Sequence, residues 1–207
     1  MTDSTTYATI TVDGFVSNST PDDSLYDINP KNHKSIINEW DKFYLDMAKN
    51  IAYKSKDPST KCGAVIVRPD RSQCSIGFNG FPKKMPDNPE WYQNREDKYS
   101  RIIHAEINSL IFAREQVTGY TLYTYPFLSC DRCFVQLVQA GITRFVSPQA
   151  TEDQLTRWGD SFEKVRRYAK EMDIIIDEYY IPSGGEMVIS GGTDFIPMSP
   201  GIVTFHK

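Results

Sequence analysis

Apolar residues first recur at helical spacing from Ser35 onward. Ile36, Ile37, Trp40, Phe43, Tyr44, Met47, Ile51 and Ala52 share one face, and DPST at 57–60 ends the run. CGAVIV (62–67) and CSIGF (74–78), joined by a turn at RPDR, predict a β-hairpin. GFNGFPKKMPDNPEWYQNREDKYSR, with Pro82, Pro86 and Pro89, cannot be one regular element and reads as a long loop. AEINSLIFAR (105–114) then has a helical apolar face, TLYTY (121–125) alternates like a strand, and DRCFVQLVQA (131–140) is a helix stopped by Gly141. ITRFVS (142–147) predicts another strand. Thr151 and Gln154 form a capping box for a helix with Leu155, Trp158, Phe162, Val165, Tyr168 and Met172 on one face, and DIIIDEYYI closes as a strand.

This order, α β β α β α β α β, predicts an α/β domain. An antiparallel hairpin followed by alternating helices and strands implies a mixed sheet with helices on both faces. Residues 1–34, rich in Ser, Thr, Asp and Asn without a sustained period, read as an N-terminal arm; 35–181 form the domain, and 182–207, with two Gly-Gly pairs, a C-terminal tail.

Composition narrows the class. The chain has 207 residues, about 40% of them hydrophobic, enough to bury a real core. No apolar run reaches the roughly 20 residues of a membrane helix, and MTDSTTYATITVDG lacks the features of a signal peptide, so the expectation is a soluble cytoplasmic protein without a membrane partner. A net charge of −4 weighs against a nucleic-acid partner. Four cysteines, at 62, 74, 130 and 133, are too few for a disulfide framework, and the close pair points to metal or redox chemistry.

In PFLSCDRC (126–133), Cys130 and Cys133 open a predicted helix, whose free amides and dipole favour thiolates. Alone, this stretch fits a thioredoxin-like dithiol, half of a structural zinc module, or part of a catalytic metal site. IIHAEINSL (102–110) places His104 and Glu106 at the start of another helix. His104, Cys130 and Cys133 then supply three ligands and leave a fourth position for water, the mark of catalytic zinc. Glu106, two residues from a ligand, is set to exchange protons with that water. Singly, His104 could be a packed histidine and Glu106 a first-turn carboxylate. Cys62 and Cys74, in predicted strands, read as small core residues.

His104-Ala-Glu106 together with Cys130-x-x-Cys133 is the arrangement of zinc nucleobase deaminases. With SKDPSTKCGAVIV (55–67), GFNG (77–80), KYSRIIHAE (98–106) and LVQAGI (137–142), the chain resembles the zinc-dependent cytidine deaminase superfamily, and within it the deoxycytidylate (dCMP) deaminases, from about Trp40 to Ile181. The resemblance implies a three-layer α/β/α fold with a five-stranded mixed sheet, Zn2+ as cofactor, and hydrolysis of dCMP to dUMP and ammonia with Glu106 moving the protons. It also implies that the Ala105 amide contacts the pyrimidine O2 and Asn79 the sugar hydroxyl. A phosphate would fall to Ser59, Thr60 and Lys61, with Lys54 and Lys56 equally readable as solvated lysines, and Tyr125 or Phe127 could stack on the base. Homo-oligomers, often hexamers, responding to dCTP and dTTP are further expectations of the resemblance. A cytosine nucleoside or RNA is the alternative substrate. One departure stands out: the family usually has proline directly before its first cysteine, and this chain has Ser129.

Overall fold

The computed structural model describes residues 37–180. The arms expected at 1–34 and 182–207 lie outside the described residues. Eleven elements follow one another: α1 (Glu39–Ala52), β1 (Gly63–Val67), β2 (Gln73–Phe78), α2 (Pro89–Gln93), α3 (Arg95–Arg101), α4 (Ala105–Phe112), β3 (Thr121–Tyr125), α5 (Asp131–Ala140), β4 (Arg144–Pro148), α6 (Glu152–Glu171) and β5 (Ile175–Tyr179).

The five strands form one sheet in the order β2-β1-β3-β4-β5. β1 pairs antiparallel with β2 and β3, whereas β3, β4 and β5 run parallel. The mixed sheet expected from the order of elements is therefore present. β1 is buried along its whole length, and its side chains alternate between two cores. Ala64 and Ile66 join Leu122, Phe145, Phe134, Leu137, Phe162 and Val165 under α4, α5 and α6. Val65 and Val67 join Tyr44, Leu45, Ala48 and Tyr123 under α1. Helices thus cover both faces, one helix on one side and three on the other. The capping box of Thr151 and Gln154 forms, and Gly141, at φ 107°, ends α5 in the left-handed conformation that glycine tolerates.

Two sequence-based expectations change. The stretch read as an uninterrupted loop contains α2 and α3, each capped by an asparagine: Asn88 Oδ1 accepts from Glu90 N at 3.0 Å, and Asn94 Oδ1 from Glu96 N at 3.0 Å. Helices this short carry no readable period, but Asn88 followed by Pro89 is a helix-start signal in its own right. The inner face of α1 is also rotated from the one predicted. Trp40 and Phe43 are 44% and 52% exposed, whereas Asp41, Tyr44, Leu45, Ala48 and Ala52 are buried.

Asp41 explains that rotation. Its carboxylate accepts from Tyr123 Oη at 2.7 Å, Tyr179 Oη at 2.7 Å, and Arg144 Nη1 and Nη2 at 2.9 and 2.6 Å. A buried charge requires such a set of donors, and here they come from β3, β4 and β5. Burial pushes the Asp41 pKa up, but the bonds from Arg144, Tyr123 and Tyr179 together outweigh it and hold the carboxyl below its ordinary value. A depressed folded-state pKa stabilises the protein above the unfolded value, near pH 4, and that contribution fades as pH falls further. Asp41→Asn should therefore lose on the order of 3 kcal/mol at pH 7, the usual scale for breaking a buried ion pair. In urea denaturation the gap between wild type and variant should close below about pH 4.

Candidate active site

The ends of β1, β2 and β3 that meet the loops after α1, β2 and β3 lie along one margin of the sheet, and α4 and α5 start there. α4 rests directly on β2: a Cβ added at Gly77 would lie 2.2 Å from Ala105 O and 2.4 Å from Ser109 N, so only glycine allows this approach. Ser75 Oγ donates to Ser109 O at 2.7 Å and Asn108 Nδ2 to Phe78 O at 2.7 Å, fixing α4 on the strand. An isolated antiparallel bridge joins Gly80 to Ile103, the residue before His104. The rotation of α4 and the entry of its chain are thus both determined by β2 and the turn after it.

His104 is the N-cap of α4 and Cys130 the N-cap of α5, and neither side chain makes a capping hydrogen bond. Both are turned to the same point. His104 Nδ1 lies 3.5 Å from Cys130 Sγ and 3.3 Å from Cys133 Sγ, and all three donor atoms fall within 4.8 Å of one another. A tetrahedral zinc with ordinary Zn–N and Zn–S bonds separates such donors by roughly 3.6 Å. The set also has the softness zinc prefers. The Cys133 thiol and then His104 draw the Cys130 pKa down, against burial, while Cys133 is pushed up by its bond to Cys130. Hydrogen bonding to Cys130 likewise pushes His104 up to about 9. A thiolate is therefore favoured where a soft cation would need it. With an imidazole nitrogen against both sulfurs, the pair is not laid out as an isolated dithiol.

Glu106 lies in the first turn of α4, 8% exposed, and burial raises its pKa while His104 opposes the rise. It faces a pocket of about 520 Å³, shared with His104, Cys130, Asn79, Phe127 and the α6 residues Trp158 and Phe162. Cys62 also lines this pocket while packing on the core, and burial pushes its pKa up, so it is a neutral wall residue.

The remaining predicted residues separate. Ser59, Thr60 and Asn79 border the pocket. Asn79 is buried and heavily committed: its Oδ1 accepts from Cys62 N at 2.8 Å, and its Nδ2 donates to Thr60 O at 2.9 Å and Asp57 Oδ2 at 3.2 Å. Ala105 is buried at the first position of α4. Lys61 is exposed and turned aside, donating to Ser55 O at 2.6 Å. Lys56 pairs with Asp87 at 2.6 Å, and Lys54 borders an apolar groove instead. Tyr125 packs with the α1 core, because odd-numbered residues of β3 face that side; Phe127, beyond the strand, reaches the pocket.

Arg95, Lys98, Tyr99 and Arg157 also border the pocket and were not singled out from the sequence. Lys98 is buried against Asp57, with Nζ 2.8 Å from Oδ1 and 2.7 Å from Oδ2. Asp57 in turn accepts from Ser59 N at 2.8 Å, so this ion pair shapes the loop that carries Ser59 and Thr60. Arg95 lies over the Tyr99 ring at 5.2 Å, with no carboxylate partner among the described residues. Arg157 pairs with Asp153 at 2.6 Å on the exposed face of α6. The signal for Arg95 was the asparagine cap ahead of it, which marks a helix start beside the predicted loop.

A profile of the cytidine and deoxycytidylate deaminase zinc-binding region matches residues 38–148. The chain belongs to this family. It is 38% identical over 128 residues to an uncharacterized deaminase in the luxG 3' region of Aliivibrio fischeri, covering 62% of this chain and 85% of that one. It is 32% identical over 128 residues to the deoxycytidylate deaminase of Mus musculus, covering 59% and 71% respectively. Among solved structures, the dCMP deaminase of cyanophage S-TIM5 superposes with a TM-score of 0.51 at 20% identity, covering 69% of this chain and 99% of that chain. That likeness bears on the fold, and it agrees with the five-stranded mixed sheet. The deaminase family binds zinc, and the donor set of His104, Cys130 and Cys133 fits that ion in softness and spacing. Cys133→Ala should yield protein that purifies without zinc, whereas Cys62→Ala should keep one zinc per chain, as measured by atomic emission on the purified variants.

Proposed function

We propose that this protein catalyses the hydrolytic deamination of dCMP to dUMP and ammonia, supplying precursor for thymidylate synthesis. The observation that carries the proposal is the buried Glu106 in the pocket lined by His104 and Cys130, whose donor cluster Cys133 completes. The mouse relative is named a deoxycytidylate deaminase, and a crystal structure of the cyanophage dCMP deaminase contains dCMP and dUMP.

His104, Cys130 and Cys133 would hold zinc, which when bound supplies a Lewis acid that makes water nucleophilic near neutral pH. Glu106 accepts a proton from the attacking water and delivers it to ring N3 as the water oxygen bonds to C4. The same carboxylate passes the second proton to the exocyclic nitrogen, the C4–N bond breaks, and ammonia leaves with uracil as the base. Burial suits Glu106 to both duties, since a raised pKa makes the carboxylate a stronger base and keeps more of the protonated form present near neutral pH.

The first amides of α4 have no intrahelical acceptor, so the Ala105 N–H is available to the pyrimidine O2. Asn79 meets the sugar hydroxyl as an acceptor, through the second lone pair of Oδ1, because both of its N–H donors are engaged. Phe127 forms the wall against the base. The phosphate is held by Ser59 and Thr60 with Arg95, which takes the part expected of Lys61.

The location is cytoplasmic, supported by four free cysteines, two of which must remain reduced to act as ligands. The protein works as a homo-oligomer. In support, Phe43, Met47 and Ile51 of α1 and Ile76 and Phe78 of the edge strand β2 line an apolar groove of about 410 Å³, and a second copy brings an identical apolar surface to it. Phe43→Lys with Ile76→Lys should lower the mass measured by light scattering, and a wild-type mass of one chain would sink this assignment. The resemblance to dCMP deaminases extends the proposal to dCTP and dTTP as effectors.

Ammonia release is the direct test, comparing dCMP, deoxycytidine, CMP and a cytosine-containing oligonucleotide, with dCTP or dTTP added in parallel. dCMP should be preferred. Glu106→Gln should remain folded and zinc-loaded but lose at least about a thousandfold in kcat, near the scale of a lost general acid-base. Arg95→Ala should raise the KM for dCMP about tenfold and leave deoxycytidine unaffected, roughly the effect of losing one charged hydrogen bond. Faster turnover of deoxycytidine than of dCMP would remove the phosphate assignment.

A further inference from the structure

The backbone of the buried Asn79 is held on both sides: its N–H donates to Cys62 O at 3.2 Å, and its carbonyl accepts from Ser55 Oγ at 2.9 Å. What remains to be set is which end of the side-chain amide meets the pocket. Oxygen and nitrogen exchange places when an amide turns over, so its neighbours decide the orientation. Cys62 N–H requires an acceptor, whereas Thr60 O and Asp57 Oδ2 each require a donor. Of these three partners only Asp57 carries charge, and a hydrogen bond to a charged group is roughly twice as strong as a neutral one.

Asp57 is itself 2% exposed. Its Oδ1 accepts from Ser59 N at 2.8 Å and Lys98 Nζ at 2.8 Å, and its Oδ2 from Lys98 Nζ at 2.7 Å and Asn79 Nδ2 at 3.2 Å. With donors facing both oxygens, Asp57→Asn must set its NH2 against another N–H. A carboxylate so placed needs a cation, and Lys98, also buried, supplies it from α3. The chain leaving α3 is fastened beside Asn79, because the next residue, Gly80, exchanges backbone bonds of 3.1 and 2.9 Å with Ile103. Asp57, Asn79 and Lys98 all line the pocket. A buried ion pair gains little stability over apolar residues of the same size, so one standing in a pocket wall calls for a use in recognition.

We propose that Asp57 and Lys98 are positioning residues for sugar recognition: Asp57 holds the Asn79 amide with Oδ1 as the acceptor offered to the pocket, and Lys98 balances the charge that this requires. The inference rests on the proposed deaminase activity. The sugar of dCMP has one free hydroxyl, on C3', and it donates to Oδ1. The pair thus makes the pocket select a nucleotide with a donor at that position, without touching the substrate itself.

The experiment has a substrate-free arm and a kinetic arm, both on the full-length, zinc-loaded protein. In the first, the Asn79 side-chain NH2 is followed by heteronuclear NMR, its resonances assigned by their loss in Asn79→Asp. Asp57→Asn, which keeps the side-chain volume, should speed exchange of these hydrogens with solvent at least about tenfold. Unchanged exchange would overturn the proposal even if dCMP proved to be the wrong substrate. In the second arm, wild type should favour dCMP about tenfold in kcat/KM over the dideoxy analogue that lacks the 3'-hydroxyl, roughly the effect of one hydrogen bond. Asp57→Asn should bring that preference to within about twofold by raising the dCMP KM, with kcat within about twofold of wild type. Lys98→Met should lose the same preference and melt about 10 °C lower, the scale of a buried charge left unpaired. Adding Asp57→Asn to Lys98→Met should recover at least about half of that melting loss and none of the preference. Recovery of both, or wild-type preference in Asp57→Asn, would assign the pair to stability alone and overturn the proposal, as would equal use of the two nucleotides by wild type. Absence of turnover in the wild type would refute the substrate assignment and leave the amide exchange to decide the role of Asp57.

Discussion

The site depends on one close contact, the seating of α4 on the backbone of β2 at Gly77. With no Cβ between them, the first turn of α4 lies against the strand, and side-chain bonds from Ser75 and Asn108 keep it from rotating. His104 and Glu106 are carried by that turn, so their positions follow from the sheet rather than from a loop. α5 brings Cys130 and Cys133 from the other side, with Asp131 N and Oδ1 both bonded to Ser161 Oγ of α6 at 2.9 Å. Two helix starts, each held by a different neighbour, thus bring three soft donors to one point. The helix dipoles add to the effect, because both N-termini favour the negative charge that thiolates and a carboxylate carry.

Charge is handled differently in two other regions. Under α1, Asp41 and Arg144 share a buried network with two tyrosines, and Arg144 also reaches Asp177 Oδ2 at 2.7 Å. This network joins α1 to β3, β4 and β5 and has no group in the pocket lining. At the pocket, Asp57 and Lys98 compensate each other behind the loop of Ser59 and Thr60. The loop is thereby shaped without using the exposed cations. Such pairs add little net stability over apolar residues of the same size, but losing one member is severe, so they specify geometry more than they strengthen it.

Much of this was legible in the sequence, for physical reasons that differ from residue to residue. The strands and the long helices announce themselves because burial imposes a period. The metal donors were legible because few residue types bind zinc and their spacing places them at helix starts. The face of α1 was misjudged because Trp40 and Phe43 keep the period while Asp41, the residue that orients the helix, is polar. Its partner Arg144 is 103 positions away, and no local pattern carries that information. Tyr125 and Phe127 were interchangeable in sequence; only the alternation of β3 and the point where the strand ends separate them. Lys61 was misread for a related reason, since a lysine side chain is long enough to turn back and meet a carbonyl in its own loop. α2 and α3 were hidden because helices of 5 and 7 residues are too short for a period to emerge from three prolines and a run of charges.

The pocket is therefore made of two parts with unequal freedom. Its floor of His104, Glu106 and Cys130, with Cys133 buried beside them, is tied to helix starts that are themselves pinned to β2 and α6. Its rim, with Ser59, Thr60 and Arg95, rests on a loop and on a short capped helix. The donor cluster and the residues at the pocket's edge are thus held by different parts of the fold, helix starts seated on the sheet in one case and a loop with a short helix in the other.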